Sequence, residues 1–192
     1  MSQDMHIDET IENEYPSNSV KDEIFDWVSN ITYILSAIVL MFIFVIRVVG
    51  VDGESMMPTL RHKDWLITSN LFYEPEKGDI VVLSKDTFLD GKMIVKRIIA
   101  TEGQTVEVDF KRGIVYVDGV ALEESYIAEP THLQGTTQYP ITIPEDHVFV
   151  MGDNRNHSAD SRDATLGAVH KSCILGRVIL RILPLSDFGA VN

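Results

Sequence analysis

An uncharged, mainly apolar run at residues 31–46 limits where the N-terminal part of this chain can lie. With its flanks the run reaches about 20 residues, the length that an α-helix needs to cross a bilayer. Trp27 and Tyr33 near its start suit a membrane interface, and Arg47 is close enough to its end to extend toward headgroups. A buried helix of a soluble protein would be expected to show a polar face, and this run shows none. We therefore predict a transmembrane anchor over residues 27–51.

The residues around this run do not fit a cleaved signal peptide, which starts with basic residues and ends in small ones. Residues 1–26 hold eight acidic residues and one lysine, which accounts for −7 of the net charge of −13. They show no clear hydrophobic period, so we expect an acidic, disordered tail there. The run ends in Val-Val-Gly-Val at residues 48–51. We therefore expect the anchor to stay uncleaved.

Flanking charge does not settle the orientation of the anchor. Lys21 precedes it, whereas Arg47, Arg61 and Lys63 follow it, so the positive-inside rule leans toward a cytoplasmic C-terminal part. The count is small, and long domains translocate regardless of flanking charge. Both orientations stay open on this ground.

Residues 52–192 alternate short runs rich in valine, isoleucine and aromatics with turn residues, a pattern typical of β-strands. Asp118-Gly119 lies between two such runs and predicts a hairpin with a type I′ turn. No long amphipathic helix is indicated. We predict a mostly β fold, with an antiparallel β-sheet domain behind a single N-terminal transmembrane helix. The predicted strand segments are DIVVLS, MIVKRII, TVEVDF, IVYVDGVAL, YPITI and HVFVMG.

Charge and cysteine content exclude several classes of function. A net charge of −13 argues against a nucleic-acid partner, which would need a basic patch. Cys173 is the single cysteine, so the chain can form neither an internal disulfide nor a thiolate metal cluster. We expect its thiol to be a small, buried, apolar group.

The segment GESMMPTL at residues 53–60 places Ser55 just after the anchor, either as part of a linker or as a nucleophile. A serine hydroxyl is a poor nucleophile until a neighbouring base takes its proton. No GxSxG elbow surrounds Ser55, and none of the six histidines lies in a recognisable triad motif. We expect most of these histidines to be surface residues; they are His6, His62, His132, His147, His157 and His170.

Lys96, in the segment MIVKRIIA, is a cation in an apolar strand. Alternate residues of a strand share a face, so Lys96 lies on the same face as Ile94 and Ile98. Loss of hydration among aliphatic side chains lowers the pKa of a lysine, which can then act as a general base. The alternative is a structural lysine at a sheet edge or paired with an acid.

The loop MGDNRNHSADSRD at residues 151–163 is dense in side chains that bond to backbone. It does not fit a calcium loop, because Arg155 follows Asp153 by two residues and no glycine falls at the turn position. It is either an Asx-rich turn or a scaffold that orients groups near a reaction centre. The candidates for such a scaffold are Asp153, Ser158, Asp160 and Arg162.

Four motifs occur in one order after the anchor: Ser55 with Met-x-Pro-Thr-Leu, Gly-Asp-Ile-Val-Val at residues 78–82, Lys96-Arg97, and the loop from Gly152 to Arg162. Together they closely resemble the motifs of type I signal peptidases (leader peptidases). The single anchor and the short chain are similar to the Gram-positive form of that family. The resemblance runs from the anchor to about Arg162.

The resemblance implies a role for each matching residue. Ser55 would be the nucleophile, and its backbone N–H would contribute to the oxyanion hole. Lys96 would be the general base, and Ser158 would hydrogen-bond to it and orient it. The supporting polar scaffold would consist of Arg97, Asp153, Asp160 and Arg162.

The resemblance also implies a membrane-bound serine endopeptidase that removes N-terminal signal peptides from exported preproteins, cutting after small residues. Its N-terminus would be cytoplasmic and its catalytic domain extracytoplasmic, against the weak charge count. The implied partners are the signal peptides, the lipid bilayer and the secretion machinery, without metal or cofactor. We expect the substrate to bind as an added β-strand. We also expect apolar residues near the membrane, Trp65 and Leu66 among them, to enter the bilayer.

Three positions depart from the family pattern. Gly53 lies where some members carry a serine whose hydroxyl completes the oxyanion hole. Ala-Thr-Glu-Gly at residues 100–103 replaces the frequent Gly-x-Pro-Gly, and Asn156-His157 replaces the frequent Asp-Asn. None of them changes the Ser–Lys pair.

Three rival functions remain as alternatives. A self-cleaving Ser–Lys repressor should carry a helix-turn-helix and no anchor, the reverse of what this sequence indicates. A membrane-tethered binding module, such as an inactive homologue, would be indicated by loss of Ser55 or Lys96, and both are present. A Ser–His enzyme using His157 would be distinguished by replacing Lys96 and His157 separately with alanine.

Overall fold

A computed structural model of the chain describes residues 20–191. Most of the predicted acidic tail, residues 1–19, lies outside the described residues, whereas residues 20–26 belong to a helix. The described residues divide into two compact units, one ending at Leu40 and the other beginning at Met41.

Helix α1 spans Val20–Phe44, with Asp22 and Glu23 in its first turn, where carboxylates complement the helix dipole. Within residues 20–191 it is the one helix long and apolar enough to cross a membrane, judged by length and composition. It begins seven residues before the anchor expected over residues 27–51. It also ends before residue 51, because Ile46–Gly50 forms a β-strand. This strand is rich in β-branched residues, which favour extended structure once a partner strand is available.

The rest of the described chain forms two sheets in which every strand pairing is antiparallel. The larger sheet has the order β1-β2-β11-β3-β4-β9-β10, with β12 beside β11, and the smaller sheet has the order β7-β6-β5-β8. The predicted mostly β, antiparallel fold is confirmed. The strands are β1 (Ile46–Gly50), β2 (Trp65–Ser69), β3 (Ile80–Leu83), β4 (Ile94–Thr101), β5 (Thr105–Asp109), β6 (Ile114–Val117), β7 (Val120–Ala121), β8 (Ile141–Thr142), β9 (His147–Met151), β10 (Val169–His170), β11 (Ile174–Leu183) and β12 (Gly189–Ala190).

Each predicted strand segment contains a strand of the structure. The predicted hairpin joins β6 and β7, and its turn residues Asp118 and Gly119 have φ angles of 52° and 77°, as a type I′ turn requires. The sequence analysis did not identify five strands of the larger sheet: the neighbouring strands β1, β2 and β11, and the two-residue strands β10 and β12.

Two strands of the larger sheet position the candidate site. β3 is buried along its whole length and pairs with β4 from Ile94 to Arg97. On its other side β4 pairs with β9, but only from Arg97 onward. The first three residues of β4, Ile94 to Lys96, therefore have no strand partner on that side within the described chain.

One of the three core clusters lies beneath the segment that carries Ser55. It contains Met56 and Leu60, which are 1% and 0% exposed, together with Leu66 and Val82. Full burial of a side chain of this size contributes about 1.5–3 kcal/mol. The expectation that Leu66 enters the bilayer is wrong, because Leu66 is 0% exposed in this core, whereas Trp65 is 47% exposed.

Candidate active site

Ser55 lies in a compact series of turns rather than in a regular element. The Met57 N–H donates to the Glu54 carbonyl at 3.1 Å, and the Leu60 N–H donates to the Met56 carbonyl at 2.9 Å. Gly53 has a φ of 103°, a conformation that residues with a side chain rarely adopt. Burial of Met56 and Leu60 holds the turn against the core, so Ser55 is presented from a fixed backbone.

Lys96 lies at the point on β4 where pairing with β9 has not yet begun. Its side chain is 2% exposed. The Nζ atom donates to Ser55 Oγ at 2.7 Å and to the Val95 carbonyl at 2.9 Å. The structure thus brings together the predicted nucleophile and base, which are 41 residues apart in sequence.

Burial lowers the pKa of Lys96 from 10.5 to about 8. The carboxylates of Asp160 and Asp153 oppose this change, and the guanidinium of Arg162 reinforces it. At pH 7 a group with a pKa of about 8 is neutral in roughly one molecule in ten, against fewer than one in a thousand at the ordinary lysine value. The lysine is therefore available as a proton acceptor near neutral pH.

Asp153 and Arg97 form a buried ion pair beside the lysine. Arg97 Nε donates to Asp153 Oδ1 at 2.9 Å and Nη2 donates to Oδ2 at 2.8 Å. Thr59 Oγ1 also donates to Asp153 Oδ2, at 2.5 Å, which ties the Ser55 turn to the same carboxylate. The guanidinium of Arg97 lies 4.0 Å from the centre of the Tyr126 ring, a cation–π contact.

Asp160 and Arg162 form a second buried ion pair. Arg162 Nε and Nη2 each donate to one oxygen of Asp160 at 2.8 Å. Asp160 Oδ2 also accepts from the Gly152 N–H at 3.0 Å, and Arg162 Nη1 donates to the Leu133 carbonyl at 3.0 Å. Both carboxylates near Lys96 are thus neutralised by an arginine, which limits how far they can raise the pKa of the lysine.

The predicted hydrogen bond between Ser158 and Lys96 is not formed. Ser158 is buried, and its Oγ atom has no hydrogen-bond partner among the described residues. The Nζ atom of Lys96 donates instead to Ser55 and to the backbone of Val95. Ser158 still lies at the site, because a Cβ atom on Gly152 would be 2.3 Å from its Oγ and 2.4 Å from the Ser55 carbonyl oxygen. Only glycine at residue 152 allows this close approach.

Several residues that the sequence analysis did not assign hold this site together. The Asn154 N–H donates to the Ser55 carbonyl at 3.0 Å, and Asn154 Nδ2 donates to the Glu54 carbonyl at 3.1 Å. Arg155 is fully buried; it forms a two-pronged ion pair with Glu124 and donates to the Gly152 carbonyl at 3.1 Å. The arginine is visible in the polar loop, but nothing in the sequence connects it with a glutamate 31 residues away.

A cavity of about 200 Å³ adjoins the Ser–Lys pair. One wall comes from the segment before Ser55 and the other from the segment before Lys96. The lining is mainly apolar; it consists of Val49, Gly50, Val51, Asp52, Ser55, Met56, Val82, Lys92, Met93, Ile94, Val95 and Lys96.

The geometry does not support the alternative in which a histidine activates Ser55. His157 is exposed, and no imidazole of the described chain hydrogen-bonds to Ser55. The His62 ring instead accepts the Gly53 N–H at 3.3 Å. Within residues 20–191 no group of three or more His, Cys, Asp or Glu side chains is arranged to hold a metal ion.

Comparison with known proteins shows that the sequence is similar to those of signal peptidases. Residues 24–183 match the family described as signal peptidase, peptidase S26. The probable signal peptidase I-1 of Synechocystis is 37% identical over 175 residues, covering 85% of this chain and 86% of the relative. Signal peptidase I S of Bacillus subtilis is 33% identical over 187 residues, covering 91% and 97%. The crystal structure of a signal peptidase I from Enterococcus faecalis is 31% identical, covers 55% of this chain and 97% of that one, and superposes with a TM-score of 0.45.

The family match spans most of the described residues, and both relatives are covered over more than four fifths of their length. The chain therefore belongs to the signal peptidase family, peptidase S26.

Proposed function

We propose that Ser55 and Lys96 are the nucleophile and the general base with which this chain carries out the activity of its family. That activity is the removal of signal peptides by a serine peptidase. The observation that carries the assignment is the 2.7 Å distance between Lys96 Nζ and Ser55 Oγ, made by a lysine whose burial lowers its pKa to about 8. A neutral amine at this distance can accept the serine proton.

The reaction begins with attack of Ser55 Oγ on the scissile carbonyl carbon while Lys96 Nζ takes the hydroxyl proton. The tetrahedral intermediate collapses to an acyl-enzyme ester, and the lysine gives its proton to the departing amine. Water then enters, Lys96 takes a proton from it, and the resulting hydroxide attacks the ester. The second collapse releases the signal peptide carboxylate and returns the proton to Ser55 Oγ.

Backbone geometry supports an oxyanion-hole role for the Ser55 N–H. No described residue accepts a hydrogen bond from this group. The Ser55 carbonyl and the Glu54 carbonyl are both fixed by Asn154, so the peptide units around the nucleophile are held in place before the substrate arrives. A donor that needs no reorganisation is the form in which backbone N–H groups stabilise a developing oxyanion most strongly.

The open edge of β4 supports binding of the substrate as an added strand. Residues Ile94 to Lys96 pair with β3 on one side and with no strand on the other. An extended peptide laid along this edge would have its scissile bond near Lys96 and alternate side chains in the apolar cavity. The mainly apolar lining of the cavity favours apolar side chains at those positions.

The two buried ion pairs support the role of a scaffold for Arg97, Asp153, Asp160 and Arg162. Each arginine meets its carboxylate through two hydrogen bonds, a planar geometry that fixes both side chains. The role of Ser158 in orienting Lys96 stays a prediction, since its buried Oγ has no hydrogen-bond partner among the described residues.

We further propose that α1 anchors the chain in the cell membrane by a single pass, with the N-terminus cytoplasmic and residues 52–192 extracytoplasmic. The candidate membrane span within α1, Val20–Phe42, has 23 residues and is about 35 Å long, enough to cross the hydrocarbon core. An extracytoplasmic site would meet preproteins as they leave the secretion machinery. Protease added to intact spheroplasts should degrade the catalytic domain and spare an epitope on the tail; protection of the domain would reverse the orientation.

The dyad is tested by cleavage of a detergent-solubilised preprotein by the full-length enzyme across pH. Wild-type activity should rise with an apparent pKa near 8, because the neutral form of Lys96 is the active base. Ser55→Ala and Lys96→Ala should both lose essentially all activity, whereas His157→Ala should cleave at a rate comparable to wild type. Comparable cleavage by Lys96→Ala would place the base elsewhere.

A further inference from the structure

The two walls of the cavity are joined by a second polar contact besides the Ser–Lys pair. Lys92 Nζ lies 2.7 Å from Asp52 Oδ2. Asp52 is in the segment that leads to Ser55, and Lys92 is in the segment that leads to Lys96. Both residues line the same cavity as the nucleophile and the base. The same two segments therefore touch at the reaction centre and again at Asp52–Lys92.

The second contact, between Asp52 and Lys92, lies at the exposed end of the cavity rather than at the Ser55–Lys96 pair. Lys92 precedes Lys96 by four positions, a span of about 13 Å in extended chain. The side chains of Lys92 and Asp52 are 61% and 64% exposed, whereas that of Lys96 is buried. Since Asp52 and Lys92 line the same cavity as Ser55, an extended peptide bound along this cavity would pass the Asp52–Lys92 pair.

An exposed ion pair of this kind opens at little cost. Solvent screens the attraction, and holding two long side chains in one geometry costs entropy, so exposed pairs contribute little to stability. While the pair is closed, each charge compensates the other. When a substrate strand separates them, a substrate side chain at that position meets both a carboxylate and an ammonium.

We propose that Asp52 and Lys92 form a charge clasp over the substrate groove and make the enzyme select an uncharged side chain at the substrate position beneath it. An uncharged side chain leaves the two charges free to pair again above it. A charged side chain attracts one member of the clasp, repels the other and prevents the pair from closing. This inference rests on the proposed dyad and extends it to a specificity-determining pair.

The test uses full-length enzyme in detergent and a set of peptides in which Lys, Ala or Glu replaces in turn each residue within four positions of the scissile bond. At one position the wild type should prefer alanine over both charged residues by about two- to fivefold in kcat/KM. Asp52→Asn leaves Lys92 uncompensated and should shift the preference there toward glutamate. Lys92→Gln leaves Asp52 with only the His62 ring beside it, 3.6 Å from Oδ1, and should shift the preference toward lysine. Raising the salt concentration from 0.05 to 0.5 M should weaken both shifts, since screening shortens the range of exposed charges.

Matched controls separate a local effect from a change of net charge. Glu102 and Lys171 form another surface ion pair, at 3.1 Å, with side chains 45% and 26% exposed, and neither residue lines the cavity. Glu102→Gln and Lys171→Gln should leave the charge preference at wild-type values. The exchanged variant Asp52→Lys with Lys92→Asp should restore the preference for alanine.

The result that overturns the clasp is a peptide set with no position at which Asp52→Asn and Lys92→Gln shift the preference in opposite directions. A Ser55→Ala blank is measured alongside. If cleavage requires Ser55 but the opposite shifts are missing, the clasp is wrong and the dyad stands. If the blank itself cleaves, the proposed dyad is wrong.

Discussion

Lys96 carries a cost to stability that follows from its burial. A pKa lowered from 10.5 in the unfolded chain to about 8 in the folded one means that the folded protein binds the proton less tightly. Below pH 8 the folded state must hold a charged, buried amine, at a cost of up to about 3 kcal/mol. We predict that Lys96→Met, which keeps the volume and removes the charge, stabilises the protein at pH 7 by about 1–3 kcal/mol while abolishing cleavage.

The pH dependence of this gain has a definite sign. Between pH 8 and pH 10.5 the unfolded chain binds more protons at this residue than the folded protein, so the wild type becomes more stable relative to the variant as pH rises. Thermal unfolding of the full-length protein in detergent should show the advantage of Lys96→Met at pH 7 and its loss near pH 10.5. A variant that is less stable than wild type at pH 7 would show that the lysine's hydrogen bonds outweigh its desolvation.

Residue-scale prediction from the sequence succeeded where a residue type conflicts with its surroundings. A lysine in an apolar strand is such a conflict, and of the two alternatives, a desolvated lysine or one at a sheet edge, the structure shows Lys96 buried. Contacts between segments that are distant in sequence produce no comparable pattern in the sequence. The ion pair between Arg155 and Glu124 depends on how two loops meet, and the missing Ser158–Lys96 bond depends on a choice among competing acceptors.

The loop that follows β9 controls the charge around Lys96. Arg162 lowers the pKa of the lysine and pairs with Asp160, whose carboxylate raises it. We predict that Arg162→Gln shifts the pH profile of cleavage toward higher pH, because the uncompensated Asp160 carboxylate stabilises the lysine's ammonium form. Activity at pH 7 should fall roughly tenfold or more, and part of it should return above pH 9.

A structural effect of Arg162→Gln is separated by a second variant. Leaving a buried carboxylate unpaired destabilises a protein by about 3–5 kcal/mol, so the profiles are measured at low temperature and beside thermal unfolding curves. The double variant Asp160→Asn, Arg162→Gln removes both charges and should return the profile to wild-type pH or below. Equal loss of activity at every pH in the single variant would show that Arg162 acts by holding the loop alone.

At the scale of elements, the strands found from sequence are those with period-two alternation and clear turns at both ends. β6 and β7 around Asp118-Gly119 are an example. The residues of β1 were assigned to the anchor. Apolar β-branched residues that follow a membrane helix are consistent with a continuation of that helix, and only the pairing with β2 identifies them as a strand. That partner, β2, has only five residues and is preceded by charged ones, so its pattern was too short to identify.

For the whole molecule, the unidentified strands β1, β2 and β11 bring apolar side chains to one face of the sheet. Val48 lies opposite Ile67, and Trp65 lies opposite Leu183. Opposite residues of antiparallel strands share a face, as do Trp65 and Ile67 two residues apart. Val48 and Trp65 are each 47% exposed and Leu183 is 42% exposed. β1 begins two residues after α1 ends, so this apolar face is covalently close to the candidate membrane span.

We predict that this apolar face contacts the bilayer and that Trp65 lies at headgroup depth, where tryptophan is enriched. Trp27 and Trp65 are the two tryptophans of the chain, so Trp27→Phe leaves Trp65 as the single indole. In proteoliposomes its fluorescence should be quenched by lipids brominated near the headgroup end of the acyl chain and only weakly by aqueous acrylamide. The companion variant Trp65→Phe reports Trp27 in α1 and shows whether the helix is inserted. If Trp27 is quenched by brominated lipid while Trp65 responds to acrylamide alone, the anchor spans the membrane and the apolar face is held away from it.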